Sequence, residues 1–483
     1  MTARRQCRLS LATLLLAGCA APARPSASTP PVTSAPPVTS APPVASAPPV
    51  TSITSTPPVA STPSQPITWI RDDADAAFAR ARAEHKLVFV DLWATWCHTC
   101  LSMQKFVLTD AKLPGAGAHF VFLAIDGDRA QNAEFLRRFP PAAWPTFYLL
   151  SPDGPRVRGR WIGAASPAQL ARFFADAERA PSSAPAADEL TTLVASADVL
   201  ATSGSYAQAA EKYTAALAQA PSDWPRAPDV RVALASALVR AGDPGACVDL
   251  ALAAPAAPLA PISASDQAAS ALECAEKLAP ADARRRRAEE RAEATLAGLC
   301  ETGAAELTPD DRADACGNLM DARKSLGDAA GARRAAETRL AVLEAAVRGL
   351  PDDVALIYDP ALSETLVSLD RGDEALALLQ ARARALPSNY NPPYHLARIA
   401  AKLGRTELGL AAVERALALA YGPRRANAYA IKADLLLGAH RQAEAVAVLE
   451  TELAYLTSLP EGQKRPETER VARERLAKLK PTH

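Results

Sequence analysis

Hydrophobic positions along this chain change their period twice. Over residues 72–85, apolar and small side chains recur at helical spacing, with Phe78 on the core side. Residues 87–92 are then almost continuously apolar, broken by Asp91, as in a strand buried on both faces. A helix-compatible run over 101–108 follows, then a loop at 113–117 and a second parallel strand at 119–125. Residues 132–139 place Phe135, Leu136 and Phe139 on one side of a short helix that Pro140 and Pro141 stop. A strand at 147–150, a turn at Asp153-Gly154-Pro155 and an antiparallel strand at 157–162 come next. A closing helix starting at Ser166 or Pro167 turns Leu170, Phe173 and Phe174 to the sheet. From about residue 188 the chain is rich in alanine and leucine and carries no strand signal.

Between the first strand and its helix stands Trp96-Cys97-His98-Thr99-Cys100. The first thiol falls where free helix N-terminal amides and the helix dipole stabilise a thiolate. The second lies one turn on and can close a disulfide onto the first. Strand, Cys-x-x-Cys and helix in that order read as a redox site. A zinc site would need two more ligands at matching spacing, and none lies nearby, so neither metal nor cofactor is expected.

This segment resembles the active site of the thioredoxin superfamily, with its WCxxC signature at residues 96–100 and Asp91 where these proteins bury an acidic residue. Trp144-Pro145-Thr146-Phe147 resembles the segment that holds their cis-proline. The resemblance spans roughly residues 67–180 and is nearest the periplasmic subgroup that includes the C-terminal domain of DsbD-type disulfide-interchange proteins. It implies a small α/β sandwich over 66–180, with Cys97 as nucleophile, Cys100 as resolving thiol and Asp91 as proton relay or core polar residue. It also implies a cis peptide at Pro145 that leaves a backbone edge for an incoming peptide, with Trp96, Trp144 and Thr146 as weaker docking candidates. His98 replaces the usual glycine; a protonated imidazole there would favour the thiolate, and a solvent-facing one would not. Phe122 stands where thioredoxin buries a lysine, which removes a charge partner for Asp91.

The N-terminus adds a location. Arg4, Arg5 and Arg8 precede a short apolar core, and Leu16-Ala17-Gly18-Cys19 resembles the bacterial lipobox. This predicts a signal peptide over 1–18 and a lipidated Cys19; the alternative is an ordinary secretory signal. Ala20 after the anchor leans towards the outer membrane, with the protein facing the periplasm. Residues 19–65 are dominated by Ala, Pro, Ser, Thr and Val, with Ser-Ala-Pro-Pro-Val starting at Ser34, Ser40 and Ser46. They form a disordered, polyproline-like tether reaching up to roughly 140 Å at about 3.1 Å per residue. Export leaves Cys247, Cys274, Cys300 and Cys316 as either two structural disulfides or small buried thiols. Lys and Arg total 53, as do Asp and Glu, a balance that argues against nucleic acid as partner.

After a linker at 181–187, residues 188–478 contain a recurring unit. Gly204, Ala209, Tyr213, Ala216 and Pro221 are echoed by Gly372, Ala375, Leu379 and Pro387, and by Gly404, Gly409, Val413 and Ala416. Gly438 follows Gly404 by 34 residues. This resembles the tetratricopeptide repeat and implies an all-α solenoid whose concave face binds a peptide or partner, with Tyr390, Tyr394, His395, Arg398, Asn427 and Tyr429 as candidates. Glycine ends the first helix of each unit, and small residues let paired helices approach.

Two functions follow. One is an envelope-anchored thiol–disulfide oxidoreductase acting on exported protein or peptide clients and fed by a membrane redox partner, with the repeats holding the client. The other is a repeat scaffold whose redox site is vestigial or regulatory, including a sensor that reports to the repeats. Intact Cys97, Cys100 and Pro145 favour the first.

Overall fold

The computed structural model describes residues 66–479 apart from 142, 154–155, 179–184, 254 and 256–257. The signal peptide, Cys19 and the tether fall outside the described residues, as does most of the 181–187 linker. Among the described residues no helix is long and apolar enough to cross a membrane.

The first domain is a five-stranded sheet in the order β1-β3-β2-β4-β5. Its strands are β1 (Trp69–Arg71), β2 (Leu87–Trp93), β3 (Phe120–Asp126), β4 (Thr146–Leu150) and β5 (Val157–Ile162). β2 is central, pairing parallel with β3 and antiparallel with β4. The period-2 alternation of strands divides the apolar run between two faces. Val88, Val90 and Leu92 pack on one side with Leu123, Ile125 and Tyr148. Phe89 packs on the other with Phe122, Phe147, Trp161, Phe173 and Phe174. The helices are α1 (Ala74–Glu84), α2 (His98–Ser102), α3 (Ala116–His119), α4 (Ala133–Arg138) and α5 (Pro167–Glu178). The helix expected over 101–108 divides, α2 passing into a π-helical turn, Met103–Val107. The loop expected at 113–117 is shorter, because α3 begins at Ala116.

Phe89 is fully buried and meets Trp69, Phe122, Phe147 and Phe174 at ring-centroid distances of 6.3, 5.2, 5.4 and 5.2 Å. Phe89→Ala is expected to cost about 3–5 kcal/mol, because neighbours on the stiff sheet collapse only partly into the cavity. Urea unfolding followed by tryptophan fluorescence checks this.

From Pro185 to Leu479 the described elements are all helical. Successive helices pack as pairs, among them Pro309–Ser325 with Ala329–Val347, Asn391–Lys402 with Thr406–Leu419, and Gly422–Gly438 with Gln442–Ser458. This is the all-α array that the repeats imply. Gly204, Gly242, Gly327 and Gly404 take the left-handed conformation that turns one helix into the next. Gly372 and Gly438 do not; Asp370 (φ 64°) and His440 (φ 59°) make those turns instead. Gly409 serves close approach, since a Cβ there would lie 2.5 Å from the Leu435 side chain. The four remaining cysteines form Cys247–Cys274 and Cys300–Cys316, so they are both buried and bonded.

The described residues of the sheet domain and the array fall in one compact unit. On the β5 side, Asp198 accepts from the Arg160 amide (3.1 Å), Asp176 pairs with Arg226 (3.2 Å) and Gln169 donates to Ser263 (2.9 Å). A second set of contacts lies at the Cys97 end.

Candidate redox site

Cys97 is the N-cap of α2, and its Sγ accepts the backbone N–H of Cys100 at 3.0 Å. Ala94 and Leu101 tie the cysteine's own amide and carbonyl into the turn at 3.0 Å each. The pair is joined as a disulfide. Cys100 is fully buried, and Cys97 keeps 5% of its surface accessible. An incoming sulfur therefore meets Cys97 first, and the leaving Cys100 sulfur stays inside. An amide N–H on Sγ at a helix N-terminus favours the thiolate that exchange requires.

The Trp144–Pro145 bond is cis. Trp144 packs into the small cluster of Ala94, Cys97 and Cys100 with Trp93 and Trp96. Thr146, buried at the head of β4, donates its hydroxyl to the Ala143 carbonyl at 2.7 Å. Gly127 makes room for the Trp144 ring, since a Cβ there would lie 2.1 Å from it.

Asp91 is buried on β2, on the Phe89 face. Burial raises its carboxyl to about 7, against the hydrogen bond from Gln104 and the charge of Arg71, which lower it. Gln104 donates from Nε2 to Oδ2 at 2.7 Å, while Oδ1 is buried with no partner. Gln104 is thus a polar partner for Asp91, while Phe122 packs among the aromatic residues around Phe89. Gln104 is legible afterwards: it lies one turn beyond Cys100 on the same helix face. Gln104→Leu is expected to raise the Asp91 carboxyl further, by about one pK unit, since a hydrogen bond to the ionised form is lost. Carboxyl titration followed by NMR or infrared spectroscopy would show it.

The largest departure from the sequence reading lies around Cys97. His98 does not simply face solvent: Nδ1 lies 3.1 and 3.2 Å from the two oxygens of Asp310, and Nε2 lies 3.9 Å from Asp314. Both acids belong to helix Pro309–Ser325, one turn apart. Burial opposes charge on His98, but Asp314 and Asp310 outweigh it and raise the imidazole to about 10. These are also the one group of possible metal donors among the described residues, with ligand atoms within 4.8 Å of one another. Carboxylates facing both ring nitrogens suit two N–H donors, which leaves no nitrogen lone pair for a metal.

Thr95 shares its hydroxyl hydrogen with Tyr390 at 2.6 Å, and its carbonyl accepts from Asn391 Nδ2 at 2.7 Å. Trp96 donates from Nε1 to Asp128 at 2.8 Å, meets Trp144 edge-on at 5.7 Å and lies under the Arg424 guanidinium at 5.1 Å. Burial, with Asp126 beside it, raises the Asp128 carboxyl to about 7. Tyr421 donates to Asp126 at 2.7 Å, and Gln463 donates to the Gly127 carbonyl at 3.1 Å. Tyr390, Tyr394 and His395, expected on an open concave face, are buried; Tyr390 contacts the redox turn, and Tyr394 stacks under Arg424 at 3.8 Å. No sequence signal joins residues some 300 positions apart; the acidic pair Asp126 and Asp128 at the end of β3 is the one local hint.

A family model for a thioredoxin-like domain matches residues 74–178, and this segment is a thioredoxin-like domain. The thiol:disulfide interchange protein DsbD of Pseudoalteromonas atlantica is 31% identical over 90 residues, covering 18% of this chain and 15% of that protein. DsbD 2 of Pseudomonas aeruginosa gives the same figures, and DsbD of Ralstonia nicotianae is 30% identical over 93 residues, covering 19% and 15%. The chain thus spans about one seventh of the length of these relatives. Among solved structures, a tetratricopeptide repeat protein from Parabacteroides merdae is similar over 60% of this chain and 98% of its own, at 15% identity and a TM-score of 0.40.

Proposed function

We propose that this protein is a thiol–disulfide oxidoreductase of the bacterial cell envelope. In the reducing direction the Cys97 thiolate attacks one sulfur of a substrate disulfide and expels the other as a thiolate. Cys100 then attacks Cys97 Sγ, closes the Cys97–Cys100 bond and releases the second substrate sulfur. Two electrons pass to the substrate, and the Cys100 proton leaves through Asp91 and water. The reverse sequence oxidises a substrate dithiol. The observation that carries this reading is a disulfide at a helix N-terminus in which Cys97 alone of the pair keeps access to solvent.

Lipidation at Cys19 would tether the chain to the outer membrane facing the periplasm, with residues 19–65 as spacer. The clients are exported proteins or peptides, and a membrane-associated partner resets the pair. Support comes from the lipobox-like 16–19 segment and from the similarity to DsbD proteins.

Equilibrating the full chain in graded glutathione buffers, trapping with an alkylating agent and weighing the product tests the reading. A two-electron transition is expected, near roughly −270 mV for a reductase or nearer −120 mV for an oxidase. A pair that stays oxidised at every ratio refutes exchange. The contacts of the array with Thr95 and Trp96 favour the second reading, a scaffold whose redox site is vestigial or regulatory, and the same titration decides between them.

A further inference from the structure

A protein partner would have to touch the residues beside Cys97, and the array holds three of them, Thr95, Trp96 and His98. Thr95 is bonded by Tyr390 and Asn391, Trp96 is covered by Arg424, His98 faces Asp310, and Gly127 is bonded by Gln463. These contacts come from helices Pro309–Ser325, Asn391–Lys402 and Gly422–Gly438 and from the short turn Glu461–Gln463. The fit is close at the backbone level. A Cβ on Gly422 would lie 2.2 Å from the Asp128 carbonyl oxygen, and one on Gly462 would lie 1.9 Å from the Ala133 carbonyl oxygen. Trp96, Leu101 and Phe106 of the redox domain pack against the main apolar core of the array.

We infer that the array acts as a filter on the redox site: docked, it leaves Cys97 to low-molecular-weight thiols and disulfides, and protein clients reach the sulfur only after it lifts. This deepens the exchange reading and rests on it. Even a weak protein–protein encounter needs several hundred Å² on each side, laid around the reacting sulfur. On the Thr95, Trp96 and His98 side that ground is already occupied within the chain. A small thiolate needs far less room, and Cys97 is the residue of the pair that keeps some exposure, 5%. It forms a mixed disulfide with Cys97 and displaces Cys100 as a thiolate, which takes a proton. A second small thiolate then attacks the substrate sulfur, releasing the small disulfide and the Cys97 thiolate.

The test compares two substrates on the full chain, glutathione and a protein disulfide such as insulin. The wild type is expected to exchange with glutathione readily and with insulin at least about a hundredfold more slowly, since access sets the rate. Gly462→Val, which wedges the array off the Ala133 carbonyl, is expected to raise the insulin rate about tenfold or more and to change the glutathione rate little. Asn391→Ala combined with Gln463→Ala loosens the same junction without a wedge and guards against a misfolded Gly462 variant. Equal wild-type rates per disulfide, or an insulin rate that neither variant alters, would overturn the filter and leave the exchange reading intact. Failure of glutathione and insulin alike, in wild type and variants, would overturn both.

Discussion

Cys97→Ser is expected to lower exchange with glutathione to background, by roughly three orders of magnitude or more, because the thiolate is the nucleophile and a serine hydroxyl does not replace it. Cys100→Ser is expected to behave differently. Cys97 keeps its helix N-terminal position and still attacks, but the buried second sulfur that should expel the product is gone. The outcome is a long-lived mixed disulfide on Cys97, one glutathione in mass, that accumulates instead of turning over. The two variants separate the roles that the geometry assigns. Cys97 retains 5% exposure and Cys100 none, so an external sulfur reaches the first and the second reacts intramolecularly. Intact-mass spectrometry after acid quenching reads both results. Equal trapping on both single variants would mean that the burial of Cys100 does not order the steps.

The redox domain was legible because its signals are local. Strand β5 and helix α5 fall at the residues that alternation and Pro167 indicate, and β2 extends the expected strand by one residue, to Trp93. The CxxC spacing marks a helix start, and Trp144-Pro145 marks the cis bond. Turns in the helical array were partly legible. A glycine motif located Gly204 and Gly404, but it misassigned the turns near Gly372 and Gly438, where aspartate and histidine adopt the left-handed conformation. Burial of the redox turn under the array was not legible at all. Nothing in the sequence marks Asp310, Asn391 or Arg424, and Tyr390 stands out only as a candidate for a concave binding face. They become part of the site because helix pairs accumulate until distant ones meet the sheet domain. Such a meeting depends on the summed geometry of many turns, and no window of sequence holds it. Reading Tyr390, Tyr394 and His395 as candidates for an open binding face failed for this reason: all three are buried, and Tyr390 is bonded to the redox turn.

His98 is expected to remain protonated across the physiological range, and its removal to make Cys97 a poorer thiolate. Asp310 lies on Nδ1 and Asp314 on Nε2, so the cation satisfies both acids, whereas a neutral ring would turn a lone pair towards one of them. Burial pulls the imidazole down, Asp314 and Asp310 pull it up, and the balance raises it to about 10, with Arg339 opposing. In NMR titration the wild-type His98 ring should therefore show no transition between pH 6 and 8. With Asp310→Asn and Asp314→Asn together, it should titrate at or below the ordinary value near 6.5, because burial then acts unopposed. The sign for stability follows from the raised folded-state value. The stabilisation from the His98 cation is complete below about pH 6.5, declines as pH rises and is gone above about 10. Wild type and double-asparagine variant should accordingly converge in stability with rising pH. His98→Gln gives the clearer sign at sulfur. It removes a cation beside Cys97 and leaves Asp310 without its imidazole partner and Asp314 with Arg339 alone, and both changes disfavour the thiolate. The Cys97 thiol is expected to rise by about one to two pK units and the couple to become more reducing by roughly 30–60 mV. Alkylation rates across pH and the glutathione equilibrium measure the two effects. An unchanged Cys97 profile in His98→Gln would show that the Asp310–His98 contact fastens the array to the redox domain without tuning its chemistry.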